Sequence, residues 1–281
     1  MSKGLAGAGH SAGAASRAAL TAAAWATAAG KVLAGSAVVA LAYQLVHWSH
    51  IVDPRVLPSV TAILRQMLQL TLDRDYLAAI TETITPALSG LVLAAMIAIP
   101  LGLLLGISRL ANRMCRGLID LMRSLPGTAL IPVCIFIIGQ GDAMKIVVVL
   151  YATVWPILFN TMYGIASVDA VAIESARSCR VDGVALWRRV MLPSAAPFVV
   201  TGIRYALPIS IVIVIASEIV VGSPEGIGGY LLQQQANVEY RPDIIYAVLL
   251  SAGVVGFALN LAFEATTDRL VGWETRRSEQ P

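Results

Sequence analysis

Glu174 is the carboxylate whose neighbourhood first invites a chemical reading. It opens Glu174-Ser175-Ala176-Arg177 and is followed by Arg180, by Asp182-Gly183 and by Leu192-Pro193. These residues form a polar island between two long apolar segments. The chemistry on offer is recognition: a carboxylate and several guanidinium groups set out for charge-assisted contact with another molecule. As an ordinary solvated charge the same carboxylate would contribute under ~1 kcal/mol. Elsewhere, chemistry-bearing residues are sparse. His10, His47 and His50 have no partner at ligand spacing, and Cys115, Cys134 and Cys179 form no CxxC or other metal pattern. No GxxxxGK[ST] phosphate loop occurs, because Gly7 to Gly13 and Gly222 to Gly229 lack the lysine. The sequence therefore offers no catalytic residue, no metal ligand set and no nucleotide site by that route.

The island reads as two short helices joined by a turn. Val168, Val171, Ala172, Ala176 and Cys179 recur at helical spacing and predict one apolar face, leaving Asp169, Glu174, Arg177 and Ser178 on the others. Asp182-Gly183 is a strong turn pair. A second amphipathic piece carries Leu186, Trp187, Val190 and Met191 on one side and Arg188 and Arg189 on the other. Leu192-Pro193 then closes the island, with proline suited to the first turn of the next helix. Such a pair between membrane spans needs something to dock on.

With Glu174-Ser175-Ala176 followed at fixed distance by Leu192-Pro193, the stretch resembles the EAA loop in permease subunits of binding-protein-dependent ABC importers. In that family the loop, here residues 166–193, is the coupling helix pair that sits in a groove of the ATPase subunit. The resemblance implies that Glu174, Ser175, Ala176, Arg177, Arg180, Asp182, Gly183, Leu192 and Pro193 belong to the ATPase-coupling surface, with Glu174 engaging basic residues of the groove. The family has glycine at the turn position occupied here by Arg180. Gly183 is the nearest turn former, so the helix break is expected about a turn later.

Composition agrees with a membrane protein. Mean hydropathy is +0.76, with 57% apolar and only 13% charged residues, outside the soluble range. The net charge of +3 and the scatter of basic residues do not suggest nucleic acid. The expectation is an all-α integral membrane protein with about six transmembrane helices in the type I ABC importer permease fold. Residues 1–30 read as an Ala/Ser/Gly-rich tail, and 31–83 hold a first span (Val32 to Val46) and a polar segment with an amphipathic helix. Residues 84–265 form the core domain and 266–281 a charged tail. Within the core, spans are expected at Pro86 to Ile107, Ala129 to Ile138, Met144 to Phe159, Ala195 to Val221 and Ile244 to Phe263. A loop is expected from Gly222 to Asp243. Gly102-x-x-x-Gly106 predicts a close helix contact.

Charge asymmetry supplies an orientation. With both termini inside, cytoplasmic segments carry fourteen Lys/Arg and outer segments five, namely Arg55, Arg65, Arg74, Lys145 and Arg241. The positive-inside rule then puts the island in the cytoplasm of an inner-membrane protein. Two charges fall within the fifth span. Arg204 is expected to snorkel toward the cytoplasm. Glu218 either lines an outer gate with Gly228 or holds the Gly222 to Gly229 loop by hydrogen bonds.

Leu57-Pro58-Ser59, Pro100-Leu101-Gly102 and the Glu218-to-Gly229 pattern further resemble the nitrate, sulfonate and taurine branch. The implied assembly is two copies of this chain in the bilayer, an ATPase dimer that alone carries ATP and Mg, and a periplasmic or lipid-anchored substrate-binding protein. The implied cargo is nitrate, an alkanesulfonate or taurine, or another small anion; a different small organic solute is the alternative. An ATP-independent secondary transporter would call for inverted repeats and mid-membrane charges. An embedded enzyme would need a cluster of ionisable residues on facing spans, whereas the sequence displays isolated charges.

Overall fold

The computed structural model describes residues 30, 34–49, 51, 53, 56–237 and 241–271, which divide into two compact units, Met1–Arg65 and Gln66–Pro281. In the first unit residues 34–48 form α1; the expected start of the first span, Val32 and Leu33, lies outside the described residues. Gln44, a polar group inside that expected span, accepts the Val60 backbone N–H at 3.0 Å. The Tyr43 hydroxyl donates to Pro58 O at 3.1 Å, and His47 Nδ1 lies 2.7 Å from Leu57 O. The expected amphipathic helix after Pro58 is α2, Val60–Leu70, started by Ser59 Oγ, which accepts from Ala62 N–H.

In the second unit α3 spans Arg74–Ile107 and is capped by Asp73, whose side chain accepts from the backbone N–H groups of Asp75 and Tyr76. This helix starts three turns before the expected Pro86. Proline marks a helix start only when nothing upstream is helical, and here Asp73 has already nucleated the chain. At ~1.5 Å per residue α3 is about 51 Å long, so it projects beyond a ~30 Å hydrocarbon core. Next come α4 (Arg109–Ser124), a single 3-10 turn (Gly127–Leu130) and α5 (Ile131–Ile138). The expected span Ala129 to Ile138 is thus only the second arm of a broken element bent by 79°. The break falls at Leu125-Pro126, where proline disfavours α geometry in the residue before it.

The remaining elements are α6 (Asp142–Ala166), α7 (Ala170–Ser178), α8 (Gly183–Leu186), a wide π-helical turn (Trp187–Met191), α9 (Leu192–Val221), α10 (Gly226–Ala236) and α11 (Pro242–Val271). Among the described residues four helices are long and apolar enough to cross a membrane, or five if the bent pair counts as one. No strand occurs among the described residues. The core is made by α3, α6 and α9, where Ala94, Ala98, Val148, Ile157, Ala206 and Val214 are fully buried.

The close contact expected from the small residues of α3 is formed against α6. A Cβ built on Gly90 would lie 2.6 Å from Val149 Cγ1, on Gly102 2.7 Å from Thr161 Cβ, and on Gly106 2.9 Å from Ile165 Cβ. Hydrogen lets the two backbones approach where any larger group would hold them apart. The segment expected as a loop after Gly222 instead contains α10. Three glycines among its first four residues argue against helix; the contacts that override this preference belong to the site described next.

Candidate functional site

The polar island forms two connected helical pieces, but its turn is not where glycine chemistry predicts. Asp169 caps α7, its carboxylate accepting from Val171 N–H at 2.9 Å. At the other end Val181 N–H donates to Ala176 O at 3.0 Å and Arg180 N–H to Arg177 O at 2.8 Å. This is the Schellman pattern, whose pivot residue takes the left-handed conformation. The pivot is Arg180, with φ 59°, the sole non-glycine residue with positive φ among those described. The break therefore sits at Arg180, as in the family, and not a turn later at Gly183. Gly183 also has positive φ (57°), but there it starts α8. The same bonding pattern ends α9, with Gly222 as pivot.

The apolar face of α7 also differs from expectation. Val171 is 66% exposed, and Ala172 and Cys179 are exposed, whereas Ile173 and Ala176 are half-buried. Glu174, Ser175, Arg177, Arg180, Asp182 and Gly183 are all exposed. The surface at this end thus combines Glu174 with the bare valines Val171 and Val184, the latter 84% exposed. Leu192-Pro193 opens α9 with proline in its first turn, as expected, but without a break, because the chain runs helical from Gly183 to Val221. Proline removes an N–H and crowds the carbonyl four residues back. The helix responds by widening: Leu192 N–H bonds Trp187 O, five residues back, within the π turn.

At the opposite end of α9, Glu218 is fully buried. Its Oε1 accepts from Lys145 Nζ at 3.2 Å and from Thr83 Oγ1 at 3.0 Å, and its Oε2 accepts from Gly228 N–H at 2.9 Å. Thr83 in turn accepts from Ile227 N–H at 2.8 Å, while Glu82 takes Gly226 N–H at 2.9 Å. The unpaired donors that begin α10 are thus met by two carboxylates and a hydroxyl, which also suits the helix dipole. Of the two roles open to Glu218, the bond from Gly228 N–H matches holding the glycine segment. These glycines leave room for nothing larger: a Cβ on Gly226 would lie 2.0 Å from Glu218 Oε1, and one on Gly228 2.6 Å from Glu218 Cβ.

Lys145 was counted above among outer charges. It is 4% exposed and bridges Glu218 to Asp142, whose Oδ1 lies 3.6 Å away. Lys145 and Glu218 are therefore not isolated charges. Arg204 likewise does not snorkel alone, since its guanidinium donates to Glu264 of α11 at 2.8 Å. The sequence held one overlooked signal, a lone lysine inside the apolar run Ala143-Met144-Lys145-Ile146-Val147.

A second fastening of α10 joins Tyr230 to the start of α3. The Tyr230 hydroxyl donates to Asp73 Oδ2 at 2.8 Å, and its ring meets Tyr76 edge-on at 5.1 Å. That hydrogen bond holds the Asp73 carboxyl below its ordinary range. Burial, reinforced by the neighbouring carboxylate, pushes the Tyr230 hydroxyl well above its own. The pair therefore stays a charge-assisted bond across the physiological range.

Against this geometry, a family model described as the binding-protein-dependent transport system inner membrane component matches residues 98–272. The bicarbonate transport system permease protein of Synechococcus elongatus is 32% identical over 205 residues, covering 73% of this chain and 70% of that protein. The taurine transport system permease protein of Escherichia coli is 25% identical over 228 residues, covering 79% and 82%. Among solved structures, one of the MetNI methionine ABC transporter in inward-facing conformations aligns with a TM-score of 0.58 and 21% identity. It covers 69% of this chain and 93% of that one, a likeness of fold.

Proposed function

Because this chain belongs to the inner membrane components of binding-protein-dependent transport systems, we propose that it lines the translocation pathway and couples it, through residues 166–193, to an ATPase subunit. It is a membrane-embedded ABC permease, similar to those of the nitrate, sulfonate and taurine branch, and its fold is that of type I importer permeases. The supporting observation is the bare end of α7–α8, where Glu174 and, one turn before it, Val171 are exposed and α8 exposes Val184. Uncovered apolar side chains on the same end as a charged loop suit a surface that another protein covers. The expected partners are an ATPase dimer that carries ATP and Mg, a substrate-binding protein on the other side and a second copy of this chain. The cargo proposed is a small anion such as nitrate, bicarbonate or an alkanesulfonate like taurine. Support comes from relatives whose names specify such substrates.

Orientation follows from charge. With Lys145 removed from the outer set as half of a buried pair, fourteen Lys/Arg face four, which favours both termini and the coupling segment in the cytoplasm.

The test is reversal of one charge. Glu174→Lys should leave the chain inserted and assembled in the bilayer yet abolish transport and the stimulation of the ATPase by loaded binding protein. Glu174→Gln, which keeps shape and one acceptor, should be milder, and Ser175→Ala nearly silent. Full stimulated activity in the Glu174→Lys complex would exclude this carboxylate from the coupling contact.

A further inference from the structure

We infer that the Lys145–Glu218 pair is a latch that holds α10 in its seat against α9 and α3. Packing alone gives α10 little hold. It has eleven residues, and three of the first four, Gly226, Gly228 and Gly229, have no side chain to bury. Ile227, Tyr230 and Leu231 are its large buried groups. What seats the helix is polar: Gly228 N–H on Glu218 Oε2, Ile227 N–H on Thr83 Oγ1, and Thr83 itself on both Glu218 oxygens, with Gly226 N–H on Glu82 and the Tyr230 hydroxyl on Asp73 as further ties to α3. A carboxylate accepts from backbone N–H groups more strongly than a neutral amide. Burying it ionised requires a counter-charge, which Lys145 supplies from α6 at 3.2 Å. Lys145 is therefore a positioning residue that acts on α10 through Glu218.

The consequence reaches the far end of the molecule. Glu218 lies in the last turn of a helix that is continuous from Gly183, so a latched α10 is joined through that helix to the segment read above as the coupling surface. Only that last link rests on the proposed function; the latch is tested without any partner.

The probe is Leu231→Cys, 6% exposed in the native seat, in the full chain purified in detergent with Cys115, Cys134 and Cys179 replaced by serine. A water-soluble maleimide reports how often α10 leaves its seat. The double variant Lys145→Met with Glu218→Gln removes the latch while leaving no bare buried charge, which protects the fold. In it, Leu231→Cys should label about tenfold faster than in the parent. A control at Leu207→Cys, 3% exposed within α9, should stay protected, and Lys145→Arg should retain slow labelling at Leu231→Cys. Unchanged labelling in the double variant would overturn the latch. So would exposure of Leu207→Cys together with Leu231→Cys, because the pair would then hold the whole bundle and not α10.

Discussion

A left-handed pivot costs an ordinary L residue roughly 1–2 kcal/mol more than it costs glycine, and Arg180 bears that cost at φ 59°. The Schellman bonds around it, from Val181 to Ala176 and from Arg180 to Arg177, are made by backbone alone. They form whichever side chain occupies the pivot. Glycine as the marker of positive φ points to Gly183; the hydrogen-bond pattern, invisible in residue types, puts the turn at Arg180. Replacing Arg180 by glycine should accordingly stabilise the chain by roughly 1 kcal/mol, seen as a rise in melting temperature of ~2–4 °C in detergent. Gly183→Val should lower it, since Gly183 too lies at positive φ. No gain from Arg180→Gly would mean that the arginine side chain earns its conformation through a contact of its own.

Between elements, the decisive surface is the glycine and alanine stripe of α3. Gly90, Ala94, Ala98 and Gly102 follow one another at four-residue spacing and are buried, and the backbone of α6 closes over them. Only its Gly102-x-x-x-Gly106 end was read in advance, small residues at that spacing on a membrane helix being suited to close helix contact. Gly102→Leu should overpack the contact with Thr161 and with Leu158 O, 3.0 Å from the missing Cβ, at a cost of about 3 kcal/mol. Gly253→Ala offers the contrast. It sits in α11 with nothing within 4 Å of a built Cβ, so it should gain roughly 0.5–1 kcal/mol from reduced chain entropy. Thermal unfolding of the two variants should move in opposite directions. The helix α10 was not legible, since glycine-rich sequence argues for loop until Thr83 and Glu218, 135 residues apart, are known to meet.

For the whole molecule, long apolar runs gave the helices of the core correctly because a stretch of about twenty such residues has few alternatives. Their lengths were harder. The ends of α3 and α9 extend well past the apolar part, where capping and continuity decide, and the α4–α5 break came from a proline whose effect on direction cannot be read from hydropathy. The proposed orientation can be checked across the membrane. On a cysteine-free background, Gln235→Cys should react with an impermeant thiol reagent from outside and Arg180→Cys only from inside. The reverse pattern would invert the topology and remove the coupling segment from reach of a cytoplasmic ATPase.

The wide turn before Pro193 also sets an angular phase. Leu186 and Ala195, both buried, would project about 180° apart around an unbroken α-helix, at ~100° for each of the nine steps between them. One surplus residue accommodated by the π turn subtracts roughly one step, leaving them about 80° apart. The short piece ahead of the turn can therefore turn its leucine inward on nearly the side that α9 already hides, while Arg188 and Arg189 remain exposed. The bulge acts as a vernier between two helical faces, and shortening it by one residue would preserve their alignment only if Pro193 were also replaced, because the ring would otherwise meet the carbonyl that the wide turn now holds clear.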